Sequence, residues 1–135
     1  MTKPSSITLT DVHSEVLTLL EKNTTVLSKL TKIPANVHEL DWCSYDKLEK
    51  YDLIIGADLL YDPAVFEDLV KLLAKLETQI ILAATIRNES TFEIFCNLCT
   101  KYSLSIDYLD YDVEKGSRFN FDRSTKIKIV EIKKS

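Results

Sequence analysis

The spacing of hydrophobic positions changes several times along the chain, and each change marks an element. "ITLT", Ile7 to Thr10, is a short strand. After Asp11, the residues Val16, Leu17, Leu19 and Leu20 gather on one side of a helix from about His13 to Glu21. "NVHEL", Asn36 to Leu40, predicts a second strand, with a short helix expected in the "DWCSYDKLEK" that follows. Asp52 to Ala57 is an apolar run without polar alternation, the pattern of a strand covered on both faces. Pro63 suits the first turn of a helix, in which Val65, Leu69, Leu72, Leu73 and Leu76 recur at helical spacing. "QIILAATI", Gln79 to Ile86, is another buried strand. It leads into a helix, "NESTFEIFCNLCTKY", with Phe92, Phe95, Leu98 and Cys99 on one face. Two strands close the chain, "LSIDYLD" (Leu104 to Asp110) and "KIKIVEI" (Lys126 to Ile132). The alternation of apolar and charged residues in the last predicts an exposed or edge position.

Strands alternating with helices predict an α/β fold, a parallel sheet with helices on both faces. Such sheets bind ligands outside the carboxyl ends of their strands. Asp11, Asp41, Asp58 and Thr85 each fall at or just past a strand end, so the fold is expected to gather them on one rim. An aspartate at such a junction also serves as a helix N-cap, and both readings stand for Asp11 and Asp58. Tyr61 and Trp42 read as site residues, with a packing aromatic as the alternative. Thr85, Arg87 and Asn88 fit either substrate contacts or a capped loop.

Composition narrows the classes. The 135 residues, 45% hydrophobic and 28% charged, predict one soluble globular domain spanning 1–135. A net charge of −4 argues against a binder of nucleic-acid backbone. No apolar run approaches the roughly 20 residues that span a bilayer, and "MTKPSSITLT" lacks the apolar core of a signal peptide. Cys43, Cys96 and Cys99 form no disulfide framework, which favours a reducing, cytoplasmic setting. Cys96 and Cys99 make a single C-x-x-C without a second pair, and His13 and His38 have no ligand set, so no metal site is expected. The chain has only two glycines, Gly56 and Gly116, which excludes any Gly-x-Gly loop that cradles a cofactor within it.

Several motifs together resemble one family. "LIIGADLLYDP" resembles the fourth strand and D-x-x-Y motif of the seven-strand, class I protein lysine methyltransferases, and "TLTDVHSEVL" their second strand with its acidic end. "ANVHELDW" is similar to their third strand and following Asp-Trp. "AATIRNESTFEIFCNLC" resembles the fifth strand and helix of the elongation-factor-two lysine methyltransferase branch. The resemblance runs from about Ile7 to the C-terminus. It implies a Rossmann-like class I sheet and S-adenosylmethionine as cofactor. It also implies a protein substrate presenting a lysine, on a translation elongation factor. By position, it assigns Asp11 to the ribose hydroxyls, Asp41 to the adenine amino group and Trp42 to an apolar wall beside the cofactor. Ala57 and Asp58 would approach the methionine end, with Asp58 also orienting the target amine and Tyr61 lining its channel. The family's first strand and its Gly-rich turn are not found in these residues, so the domain is expected to be N-terminally incomplete. Two functional classes remain open: a lysine methyltransferase, or a non-catalytic domain of that descent that binds a protein partner.

Overall fold

The computed structural model describes residues 3–110 and 126–135. The chain divides into two compact units, Met1–Asp46 and Lys47–Ser135, and its strands form two sheets, each confined to one unit.

In the first unit, β1 (Ile7–Asp11) pairs in parallel with β2 (Ala35–Glu39), and α1 (Ser14–Thr31) makes the crossover between them. The helix runs ten residues past the predicted end at Glu21. The sequence obscured this because Asn23, Thr24 and Thr25 are poor helix formers. Here Thr24 and Thr25 both return their hydroxyls to the Glu21 carbonyl, at 2.9 and 3.0 Å. Leu27 meanwhile continues the inner stripe of Leu17 and Leu20. The helix stops at Lys32, whose φ of 61° is left-handed and whose N–H closes on the Ser28 carbonyl. The short helix expected after Trp42 does not form; residues 40–52 hold only turns and bends.

The second unit contains β3 (Leu53–Ala57), a 3₁₀ turn at Pro63–Val65, α2 (Phe66–Lys75), β4 (Gln79–Ile86), α3 (Glu89–Lys101), β5 (Leu104–Leu109) and β6 (Lys126–Lys134). Its sheet has the order β3-β4-β6-β5, parallel between β3 and β4 and antiparallel at both edges of β6. The sheet is therefore mixed, and β6 is an interior strand rather than the expected edge. Its alternation reflects two unequal faces: Val130 and Ile132 are buried while their neighbours are half-exposed. β3 differs from expectation in the opposite sense. Among the described residues it has one hydrogen-bonded neighbour, and Ile55 is 75% exposed.

The core of this unit lies where α2 and α3 cover β4 and β6. Phe66, Leu69 and Val70 from α2 and Phe95 and Cys99 from α3 meet Ile80, Leu82, Val130 and Ile132, all essentially inaccessible. Phe66 and Phe95 stack edge to face at 6.1 Å and 81°. Burial pushes the Cys99 thiol up to about 12, as expected of a cysteine used for packing. Phe95→Ala is therefore expected to cost about 3–5 kcal/mol, read from the urea midpoint.

Glu67 on α2 is tied to α3. It accepts from the Lys101 ammonium at 2.8 Å and the Tyr102 hydroxyl at 2.6 Å. These bonds, led by Lys101, hold its carboxyl down at about 2 from 4.5. A carboxyl depressed by folding stabilises above its unfolded value and loses that contribution as pH falls through the folded one. Glu67→Gln should therefore melt below wild type at pH 7, with the gap closing between about pH 4.5 and 2.

Candidate active site

The carboxyl ends of β3 and β4 lie side by side because the strands are parallel and in register, Ala57 opposite Ala83. The ladder continues one residue past β3, where the Asp58 N–H donates to the Ala83 carbonyl at 2.9 Å. At that residue the backbone turns left-handed, with φ 58°. Among side-chain-bearing residues, aspartate and asparagine accept this conformation most readily. The turn sends the chain off the strand into Leu59–Tyr61.

At Gly56 the absence of a side chain is used by close leucine packing rather than by a positive φ. A Cβ on it would stand 2.6 Å from Leu59 Cδ1 and 2.9 Å from Leu82 Cδ2. Leu59 thus folds back against the strand, and the absence of a side chain at Gly56 serves internal packing. The next helical turn has its own cap: Asp62 Oδ1 accepts from the Ala64 N–H at 2.9 Å, ahead of Pro63. The capping role open to Asp58 is thus filled by Asp62.

A small hollow of about 70 Å³ opens at this rim, lined by Asp58, Tyr61, Thr85, Arg87, Asn88 and Phe92 among others. Tyr61 is 63% exposed, outside the core. Arg87 Nη2 stands 3.7 Å from Asp58 Oδ2, with both side chains well exposed. Asn88 caps α3, its Oδ1 accepting from the Ser90 N–H and hydroxyl at 2.9 and 2.8 Å. The hollow therefore offers one carboxylate, one guanidinium and one phenol over apolar walls from Leu60, Ile86 and Phe92. That combination can hold a cationic or amine-bearing side chain. A larger hollow of about 340 Å³ lies near the start of β4, lined by Leu73, Leu76, Ile80 and Leu104. Lys133 and Lys134 at its border are ion-paired with Asp107, Glu131 and Glu77, so it presents no reactive group.

Of the residues singled out from sequence, Ala57, Asp58 and Tyr61 thus fall at one strand end, and Asp58 and Tyr61 share the hollow with Thr85, Arg87 and Asn88. Asp11, Asp41 and Trp42 belong to the first unit. Asp11 ends β1, and its Oδ1 accepts from the Val12 and His13 N–H groups at 2.8 and 2.9 Å, shaping the entry to α1. Asp41 Oδ1 accepts from the Cys43 N–H at 2.9 Å in the turn after β2, and Trp42 is half-buried beside it. The Asp58–Arg87 pairing escaped sequence reading because its partners are 29 positions apart. It becomes visible only once β3 and β4 are known to be parallel and adjacent.

If the left-handed backbone selects Asp58, substitutions there should sort by conformation. Asp58→Asn and Asp58→Gly should stay close to wild-type stability, whereas Asp58→Ala should lose about 1 kcal/mol in urea denaturation.

Comparison with known proteins places these features in context. The model of a family described as lysine methyltransferase matches residues 1–101. A protein-lysine N-methyltransferase of Saccharomyces cerevisiae, EFM3, is 35% identical over 86 residues, covering 57% of this chain and 25% of that protein. The EFM3 of Chaetomium thermophilum is 37% identical over 62 residues, covering 42% of this chain and 18% of its own length. The chain thus spans about a quarter or less of these curated relatives. Among solved structures, an rRNA methylase from Escherichia coli superposes with a TM-score of 0.62 at 17% identity, over 97% of this chain and 49% of that one. Magnesium protoporphyrin IX methyltransferase from Synechocystis, solved with bound SAM, gives 0.61 at 16% identity, over 96% and 60%. These likenesses identify the fold as the α/β, Rossmann-like methyltransferase fold.

Proposed function

The chain belongs to the lysine methyltransferase family, and from that premise we propose that its strand-end hollow is the acceptor side of a protein-lysine N-methyltransferase. The observation that carries this reading is the left-handed Asp58 at the end of a parallel strand, sharing one hollow with the exposed phenol of Tyr61.

S-adenosylmethionine would supply an activated methyl group as a sulfonium. The residues fit that cofactor in part. Asp11 and Asp41 each commit Oδ1 to local N–H groups; Oδ2 would take the ribose hydroxyls and the adenine amino group respectively. Trp42 offers an apolar surface beside the base, and Ala57 a small residue at the methionine end. A glycine-rich turn beneath the methionine portion has no counterpart in these 135 residues, whose two glycines, Gly56 and Gly116, lie far apart in sequence. In this reading the two units are parts of one methyltransferase domain.

The chain's own part in the chemistry is to hold and prepare the amine. In the transfer step, the lysine nitrogen would use its lone pair to form the new N–CH₃ bond as the S–CH₃ bond broke. The bonding pair would stay on sulfur, and the methylated ammonium would lose its proton to water. A free lysine has a pKa of about 10.4, so the attacking form is scarce near neutral pH. Leu60, Ile86 and Phe92 would favour that neutral form by desolvation, while Asp58 anchors and orients the amine rather than acting as a strong base. Tyr61 adds a hydroxyl partner and a ring face. Most acceleration would then come from alignment. A translation elongation factor is the target class supported by the resemblance of the β4–α3 segment, and the cytoplasm the matching location. No helix among the described residues is long and apolar enough to cross a membrane.

The second reading is a non-catalytic domain of that descent that keeps the rim and binds a protein partner. Calorimetric titration with S-adenosylmethionine separates the two. The enzyme reading expects saturable binding, weakened at least about tenfold by Asp11→Ala through loss of a charge-assisted hydrogen bond. No heat at millimolar cofactor would remove catalysis by these 135 residues alone. With binding established, Asp58→Asn and Tyr61→Phe should each slow methyl transfer roughly tenfold or more while cofactor affinity stays within about threefold. Transfer equal to wild type in both variants would reject their assigned roles.

A further inference from the structure

Resting on the acceptor-site reading above, we propose that Arg87 is the resident counter-charge of Asp58 and limits how firmly the hollow holds an ammonium. Asp58 follows the last residue of β3 and Arg87 the last residue of β4, so the parallel register brings the two charges to the same rim. Both backbones are fixed there, Asp58 by its bond to Ala83 and Arg87 by the cap that Asn88 forms on α3. Glu89, two residues beyond Arg87, is already engaged by Lys126 and Lys128 at 3.1 and 2.8 Å. Asp62 is engaged by the Ala64 N–H. Among the described residues, Asp58 is thus the acid that Arg87 faces, and Asp58, Tyr61 and Arg87 are the ionisable groups lining the hollow.

The geometry of the pair is informative. At 3.7 Å it is longer than the 2.7–2.9 Å of a charge-assisted hydrogen bond, and both side chains are mostly in solvent. Such a contact is weak and exchangeable. It also addresses a conflict in the chemistry. A carboxylate strong enough to anchor a lysine ammonium also stabilises its protonated, unreactive form. A guanidinium beside that carboxylate competes with the incoming ammonium and favours the neutral amine. Arg87 therefore acts as a positioning residue: it leaves Asp58 able to orient the amine but not to trap it charged.

Removing the Arg87 charge should therefore tighten binding, the reverse of what loss of a ligand-contacting residue does. The test uses the full chain with n-butylammonium chloride as probe for a lysine side chain, followed through the amide shifts of Asp58 and Tyr61 at low salt. Arg87→Gln should bind the probe roughly two- to fivefold more tightly than wild type, the range of an exposed ion pair. Arg87→Lys, which keeps the charge, should match wild type, and Asp58→Asn should bind at least about threefold more weakly. The gain in Arg87→Gln should shrink at about 0.5 M salt, where screening is effective within several ångströms. If Asp58→Asn weakens binding but Arg87→Gln leaves it equal or weaker, the role of Arg87 is overturned while the acceptor site stands. If no form binds, or Asp58→Asn binds as wild type does, both are overturned.

Discussion

The parallel pairing of β3 with β4 is the constraint on which the rest depends. Parallel strands cannot be joined by a tight turn, so the chain must cross from Ala57 back to Gln79 before pairing resumes. The crossover is made by Asp62, Pro63 and α2, and its apolar face supplies Phe66, Leu69 and Val70 to the core. Because both strands run the same way, both carboxyl ends open on one rim. Asp58 and Arg87 meet there for that reason alone, without any local sequence signal joining them.

Local elements were largely legible in the sequence, and their environment was less so. β4 spans Gln79–Ile86, as its apolar run indicates, and the helix after Pro63 and the helix capped by Asn88 lie where turn chemistry puts them. Sheet order was not legible, since β6 alternates like an edge strand yet inserts between β4 and β5. Alternation reports unequal faces, and an interior strand with one half-exposed face looks the same. The apolar run of β3 erred in the other direction, because its composition says nothing about which neighbours are present. The expected helix after Trp42 does not form; Asp41 instead turns the chain by accepting from the Cys43 N–H.

The candidate site divides along similar lines. Asp58 and Tyr61 could be named from their position at a strand end, and Tyr61 does lie outside the core. What the sequence could not supply was the left-handed backbone of Asp58, the transfer of the capping role to Asp62, and the arginine opposite. Each depends on a neighbour distant in the chain or on a single torsion angle. For Asp11 and Asp41 the structure adds that each orders its own turn through one carboxylate oxygen, which is compatible with a second task for the other. In the proposed reading, the hollow joins an anchoring charge, a competing charge and apolar walls, the mixture a site would need to grip an amine yet leave it nucleophilic.

The central claim is that the group accepting methyl at this rim is a lysine amine. Its most direct measurement is the identity of the labelled amino acid. Protein substrate treated with methyl-labelled S-adenosylmethionine would be hydrolysed to completion and resolved by mass spectrometry. The account predicts label in mono-, di- or trimethyl-lysine, falling to background when Asp58→Asn replaces wild type. Label in methylarginine or in a base-labile ester, or lysine label undiminished in Asp58→Asn, would contradict it.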